Sequence, residues 1–207
     1  MKLIIFGATG TVGQHLVAQA LEAGHEVTAF TRKRSKLNQQ HQQLKITEGD
    51  VLNPPQVAQA MREHDAVLCA LGAGRKGKVR SLGTQNIIRG MQANGVRRLI
   101  CQTTLGCGAS KDNLNFFWKH VMFGWFLKEA FIDHECQEQL VSESELDWTI
   151  VRPAAFTNGP LTQQFRHGFS PSDRSLKLKV SRADVAYFML QQINSAAYLH
   201  KKTGLSY

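Results

Sequence analysis

The sequence predicts an α/β fold in which helices cover both faces of a parallel sheet, and three observations carry that expectation. Short apolar runs alternate with helical patterns through the first three quarters of the chain. The first apolar run leads directly into Gly7-Ala8-Thr9-Gly10-Thr11-Val12-Gly13 and then a helical pattern. The chain has 207 residues, 43% hydrophobic and 20% charged, which suits one α/β domain with a sizeable core and argues against disorder.

The elements follow in order. A strand is expected over 2–6 and a helix over 11–23, with Val12, Leu16, Val17, Ala20 and Leu21 on one face and Gly24 as its stop. A second strand spans 26–30 and a third 45–49. Asn53-Pro54-Pro55 opens a helix over 55–63, since proline suits a first helical turn. A strand over 66–71, a helix over 81–94 stopped by Gly95, and a strand over 97–103 come next. Helix 133–144 and strand 147–152 complete the alternation. Ser181-Arg182-Ala183-Asp184 is a capping-box pattern opening a last helix over 185–193. The chain contains no repeat, linker or low-complexity stretch, so one domain is expected over 1–207.

The glycine turn between strand and helix is a site for a dinucleotide. Glycines let the backbone approach a pyrophosphate, which rests on the positive helix N-terminus. The second strand ends in Thr31-Arg32-Lys33-Arg34 and not in a carboxylate. Arg32 to Arg34 is either a solvated basic loop or a phosphate site; Arg32 stands where an acid would accept from a free ribose 2′-hydroxyl, which favours its pairing with a 2′-phosphate and points to NADPH.

Ligands of open α/β sheets lie outside the carboxyl ends of the strands, so each strand end is read as a wall. The first supplies Gly7, Thr9, Gly10, Thr11, Val12 and Gly13, and the second Arg32. The third supplies Asp50 and Val51; Asp50 is either an acceptor for the adenine amino group or an ordinary turn aspartate. The fourth supplies Ala70, Leu71 and Gly72, followed by Arg75, Lys76, Lys78 and Arg80, most of which read as solvated loop charges. The fifth supplies Thr103 and Thr104, and the sixth Pro153, Ala154, Ala155 and Phe156.

The formal net charge is +9, which admits nucleic acid, an anionic membrane or an anionic ligand as partner. The cations are scattered without interleaved aromatics, so nucleic acid is not expected. Cys69, Cys101, Cys107 and Cys136 lack C-x-x-C spacing and read as thiols of a reducing cytoplasm, with no metal site. The first strand begins at once, leaving no room for a signal peptide, and no apolar stretch is long enough to span a bilayer. Segment 106–132 is unusual: Phe116, Phe117, Trp118, Phe123, Trp125, Phe126 and Phe131 crowd it. It is either a packed helix or subunit interface, or a lid whose aromatic faces, Trp118 among them, stack on a flat substrate.

Gly7-x-x-Gly10-x-x-Gly13, Gly49-Asp50-Val51, Leu146-Asp147-Trp148-Thr149-Ile150-Val151-Arg152-Pro153 and Thr203-Gly204-Leu205-Ser206-Tyr207 resemble the atypical short-chain dehydrogenase/reductases. Within these the chain is most similar to the flavin reductase/biliverdin reductase B group and its NAD(P)H-binding relatives. The resemblance covers nearly the whole chain and is weakest over 106–132. It implies a Rossmann-like fold, NADPH, and hydride delivery to a flavin such as FMN, a linear tetrapyrrole such as biliverdin, or a quinone-like acceptor. That group carries a serine where this chain has Thr104, which keeps a hydroxyl near the nicotinamide. It carries a histidine where this chain has Ala154, so any histidine grip on the acceptor is lost.

The Tyr-x-x-x-Lys dyad of ordinary family members must follow the fifth strand, and no tyrosine lies between Thr104 and Tyr187. Tyr198-x-x-x-Lys202 has the spelling but reads as a chance match near the C-terminus. Ketone reduction needs a placed proton donor, whereas a conjugated acceptor spreads incoming charge over its rings. Two functions remain: a reductase of conjugated acceptors with Thr104 and Pro153 beside the nicotinamide and Phe156 walling the pocket, or an NmrA-like NADP(H) sensor or assembly factor whose aromatic segment meets a protein partner.

Overall fold

The computed structural model describes residues 1–74 and 77–207; Arg75 and Lys76, counted above among the loop cations, lie outside them. The first half of the chain forms β1 (Lys2–Phe6), α1 (Gly13–Glu22), β2 (Glu26–Thr31), β3 (Leu44–Glu48), α2 (Pro54–Ala60), β4 (Ala66–Cys69) and α3 (Val79–Asn94). The second half forms β5 (Arg98–Gln102), α4 (Lys128–Ser142), β6 (Asp147–Pro153), β7 (Ala155–Thr157), β8 (Arg166–His167), β9 (Lys179–Ser181), α5 (Arg182–Gln191) and β10 (Lys201–Ser206). Sheet order is β3-β2-β1-β4-β5-β6-β10-β8, parallel except for β8. This is a Rossmann-like α/β fold, with its topological switch between β1 and β4.

Side chains alternate across β1 as a pleated strand requires. Leu3 and Ile5 join Leu16, Val17, Val185 and Met189 on the face of α1 and α5. Ile4 and Phe6 join Val57, Ile87, Met91 and Val141 on the face of α2, α3 and α4. Every strand and helix expected from the sequence is present, with shifted ends. Asn53 caps α2 by accepting from the Gln56 amide at 3.2 Å. Helix α3 begins before residue 81 because Asp133, reaching over from α4, accepts from the Arg80 and Ser81 amides at 3.0 Å each. Helix α4 begins before residue 133 because it continues directly from a π-helix, Phe117–Phe126, which the sequence pattern did not reveal.

The capping box at α5 is completed in an unexpected way. Ser181 Oγ accepts from the Asp184 amide at 3.0 Å, but Asp184 does not return the bond. Its carboxylate takes the amides of Thr162 and Gln163 and the hydroxyls of Thr162 and Tyr207. The Ser181 amide goes to the Tyr207 hydroxyl at 3.1 Å, so the C-terminal tyrosine pins β10 to α5. Four strands, the short β7 to β9 and the six-residue β10, escaped the sequence reading.

Candidate functional site

The carboxyl ends of β1, β2, β4, β5 and β6 open onto one cavity of about 680 Å³. Its floor at the switch point is the glycine turn. The Gly10 amide closes onto the Gly7 carbonyl at 2.8 Å, and Gly7 adopts φ +82°. A Cβ on Gly7 would lie 2.3 Å from the Ala70 carbonyl oxygen, and one on Gly13 would lie 2.0 Å from the Gly7 oxygen. Both are therefore required by close backbone approach. The Thr11 and Val12 amides at the start of α1 have no acceptor among the described residues, which leaves them for a ligand.

The structure places Gly7, Thr9, Gly10, Thr11, Val12, Arg32, Asp50, Val51, Ala70, Leu71 and Gly72 on the cavity wall. Thr103, Thr104, Trp118, Pro153, Ala154, Ala155 and Phe156 line it too. Gly13 lies behind the wall and serves the packing of the turn. Arg32 is exposed, and its guanidinium has no acidic or hydrogen-bonding partner among the described residues. Lys36 lines the cavity too, from a 3₁₀ turn over Arg34–Lys36, a second cation of the basic run that begins at Arg32. Asp50 is in part the ordinary turn aspartate: its Oδ1 accepts from the Leu52 amide at 2.9 Å, and Oδ2 has no partner among the described residues.

Below Thr103 lies a buried ionic group. The Thr103 hydroxyl donates to Glu138 Oε1 at 2.8 Å, so this side chain is turned to the protein and not held ready for a cofactor. Arg152 binds the same carboxylate through Nε at 2.8 Å and Nη2 at 2.5 Å, and Lys202 Nζ stands 3.5 Å away. Burial alone would raise the Glu138 carboxyl; the hydrogen bonds and charge of Arg152, with Thr103 and Lys202, overcome this and hold it below the usual carboxylate range. The Thr104 hydroxyl makes only a 3.3 Å contact to the Leu105 carbonyl and stays available to the cavity.

The aromatic segment splits in two. Trp118 and Phe123 turn inward, their rings 5.8 Å apart, and wall the cavity with Leu114 and Leu127. Phe116 and Trp125 point outward at 75% and 74% exposure, with Phe117 also exposed. One face of the segment thus lines the cavity and the other is open to solvent. Across the cavity, Arg182 sits 5.3 Å over the Phe156 ring and donates to Asn158.

Arg80 corrects an expectation. It is no solvated loop charge: it is buried, pairs with Asp133 at 3.5 Å, and donates to the Gly74 carbonyl at 3.1 Å. His134 also reaches the cavity from α4, a position that sequence motifs passed over. Burial, then the nearby Arg80 charge, lowers its pKa to about 4, against smaller raising effects of Gln137, Asp133 and Glu138. The Tyr198/Lys202 pair forms no dyad: the Tyr198 hydroxyl meets His167 Nδ1 at 2.6 Å, Lys202 faces Glu138, and neither lines the cavity. Among the described residues no cluster suits a metal ion, and no helix is long and apolar enough to cross a membrane.

A glycine-floored crevice at the switch point of a parallel sheet defines a nucleotide-binding oxidoreductase-like fold. Residues 7–196 match the NAD(P)H-binding family, and the chain belongs to it. Photosystem II assembly factor Ycf39 of Synechocystis is 25% identical over 170 residues, 79% of this chain; the match spans about half (47%) of that longer relative. ChuY of Escherichia coli, described as an anaerobilin reductase, superposes with TM-score 0.82 at 25% identity over 99% of this chain and 96% of its own. A short-chain dehydrogenase/reductase of Veillonella parvula in complex with NADP superposes with TM-score 0.85 at 19% identity, over 100% and 94% of the two chains.

Proposed function

We propose that the protein is an NADPH-dependent reductase of flat conjugated acceptors, of the flavin or linear-tetrapyrrole kind. The observation that carries this reading is the make-up of this one cavity: cations without partners among the described residues at one end, bare amides in the middle, and an aromatic wall without a tyrosine proton donor at the other. Arg32 and Lys36 hold the 2′-phosphate, the Thr11 and Val12 amides hold the pyrophosphate, and Asp50 Oδ2 accepts from the adenine amino group. Val51, Ala70, Leu71 and Gly72 give the dinucleotide an uncrowded floor. Thr104 donates its hydroxyl beside Pro153 where the nicotinamide lies. Trp118, Phe123, Ala154, Ala155 and Phe156 stack on the acceptor and exclude water. The cofactor, when bound, supplies a hydride; the protein supplies position. Three buried free thiols fit a reducing compartment such as the cytoplasm.

The test mixes pure protein with NADPH and, in turn, FMN, biliverdin and a quinone, following loss of the reduced-nicotinamide absorbance. Oxidation above the enzyme-free rate with at least one acceptor is expected; none with any of them sinks the reading. ChuY's description as an anaerobilin reductase favours the tetrapyrrole arm.

A second reading has its own observation, the outward Phe116, Phe117 and Trp125. An NADP(H)-binding assembly factor would present this face to a protein partner, as fits the similarity to Ycf39. It expects tight NADPH binding without turnover, and a partner released by serine at these three positions. Trp118 is left out because its ring belongs to the cavity.

A further inference from the structure

Helix α4 brings His134 to the cavity wall, and the hydrogen bonds behind it decide which ring nitrogen carries a proton. Its Nδ1 lies 3.2 Å from Oε1 of Gln137, which is fully buried at 0% exposure. The Gln137 Nε2 lies 3.0 Å from Thr84 Oγ1 and 3.8 Å from Cys69 Sγ. In this orientation both amide hydrogens have acceptors, and the amide oxygen needs a donor, which only Nδ1–H supplies. Turned over, the amide would have one acceptor for two hydrogens and would orphan an N–H in the core, which buried groups avoid. Nδ1 is therefore protonated. The Nε2 lone pair is bare and has no partner among the described residues, while the ring lines the cavity.

We propose that His134 Nε2 is a ligand-binding acceptor that takes an O–H or N–H of the molecule bound against α4, and that it selects for such a donor over a negatively charged group. The inference rests on the reading of this cavity as a dinucleotide and acceptor site. The depressed basicity of the ring supports it, since the imidazole stays neutral at physiological pH. A neutral lone pair facing a carboxylate or phosphate is repelled; facing a donor it is satisfied. The donor belongs either to the dinucleotide, through a ribose hydroxyl or the carboxamide, or to the conjugated acceptor, through an imide or pyrrole N–H.

The experiment uses binding alone, so that a protein without turnover still answers it. NADPH is titrated into wild type, His134→Phe and His134→Gln; lumiflavin and 3-methyllumiflavin are then titrated into each protein saturated with NADP⁺. His134→Phe keeps a ring but no acceptor, whereas His134→Gln restores an oxygen near the Nε2 position. Loss of one neutral hydrogen bond corresponds to about a threefold to tenfold weakening. Weaker NADPH with Phe and recovery with Gln assigns the donor to the dinucleotide. Weaker lumiflavin with unchanged 3-methyllumiflavin assigns it to the acceptor's N–H. Unchanged affinities, or equal losses for both flavins with NADPH unaffected, overturn the proposal and leave His134 a packing residue. Should the Phe variant not fold, ¹⁵N shifts of the wild-type ring decide: a proton on Nε2 at neutral pH overturns it. Failure of the reductase reading appears separately, as wild type that binds NADPH but oxidises none.

Discussion

The cavity has two walls built by opposite means. At the switch point the wall is backbone: Gly7 on it and Gly13 packed behind it stand so close to neighbouring carbonyls that a single methyl would lie 2.3 and 2.0 Å from oxygen. Across from it the wall is side chain, where Trp118 and Phe123 project from a π-helix whose other face leaves Phe116 and Trp125 in solvent. At these two positions the close backbone approach admits glycine alone. The second wall needs only bulk and a flat face, which several residues supply. Substitutions should therefore separate the two walls steeply, and their ranking tests the contrast.

The largest effect is expected at the backbone wall. Gly13→Ala forces its new methyl against the Gly7 carbonyl, and neither the turn nor α1 can yield without opening the cavity floor. A loss of about 3 kcal/mol in denaturant unfolding is expected, together with loss of NADPH binding. A variant as stable as wild type would show that the turn is softer than its spacing implies.

A loss of similar size on the other wall requires acid. The folded His134 titrates at about 4, whereas an unfolded histidine titrates at about 6.5. Between those values the unfolded chain binds a proton that the folded chain refuses, so stability rises with pH in that window. The contribution is complete above about pH 6.5, falls as the pH drops, and is gone near 4. It amounts to at most about 3 kcal/mol. His134→Phe should flatten the slope of unfolding free energy over this window, while the carboxylates lowered by their partners, Asp133, Glu138 and Asp184, still act at more acid pH. An unchanged slope would place the ring in water.

These contrasts explain what could be read in advance. A glycine spacing between strand and helix maps a steric demand onto one residue type, so the fold, the crevice and the wall residues from Gly7 to Gly72 were legible. Apolar runs likewise marked β1 to β6. Strand β10 was not legible because it opens on Lys201-Lys202 and is held by pairing with β6 and the Tyr207–Asp184 bond, both set by tertiary contact. Arg80 and His134 share a cause: each takes its place through α3 packing on α4, where Asp133 and Gln137 supply partners more than fifty positions from Arg80 and Thr84. No local pattern encodes such a distance. The π-helix was illegible because its aromatic run satisfies helical, interfacial and lid geometries alike.

At the open end of the backbone wall, Arg32→Ala should weaken NADPH by about 1.5–3 kcal/mol and leave NADH nearly unchanged. Lys36→Ala should cost less, as a point charge without a planar fork. Equal losses for both dinucleotides would refute the 2′-phosphate assignment and return Arg32 to the solvated loop.

The smallest stability change is expected where the most aromatic surface is visible. Phe116→Ser with Trp125→Ser removes rings that contact mainly His120 and Phe126, so unfolding free energy should move by no more than about 0.5 kcal/mol per site. NADPH affinity should be unchanged as well, because the inward rings are untouched. Trp118→Ser on the opposite face should instead weaken the conjugated acceptor while leaving NADPH alone. If the outward pair alters acceptor binding, the π-helix moves as one lid and the division of its faces fails. If it alters neither stability nor binding, those exposed rings are maintained for something outside this cavity, which is the condition under which a protein partner becomes the better account of them.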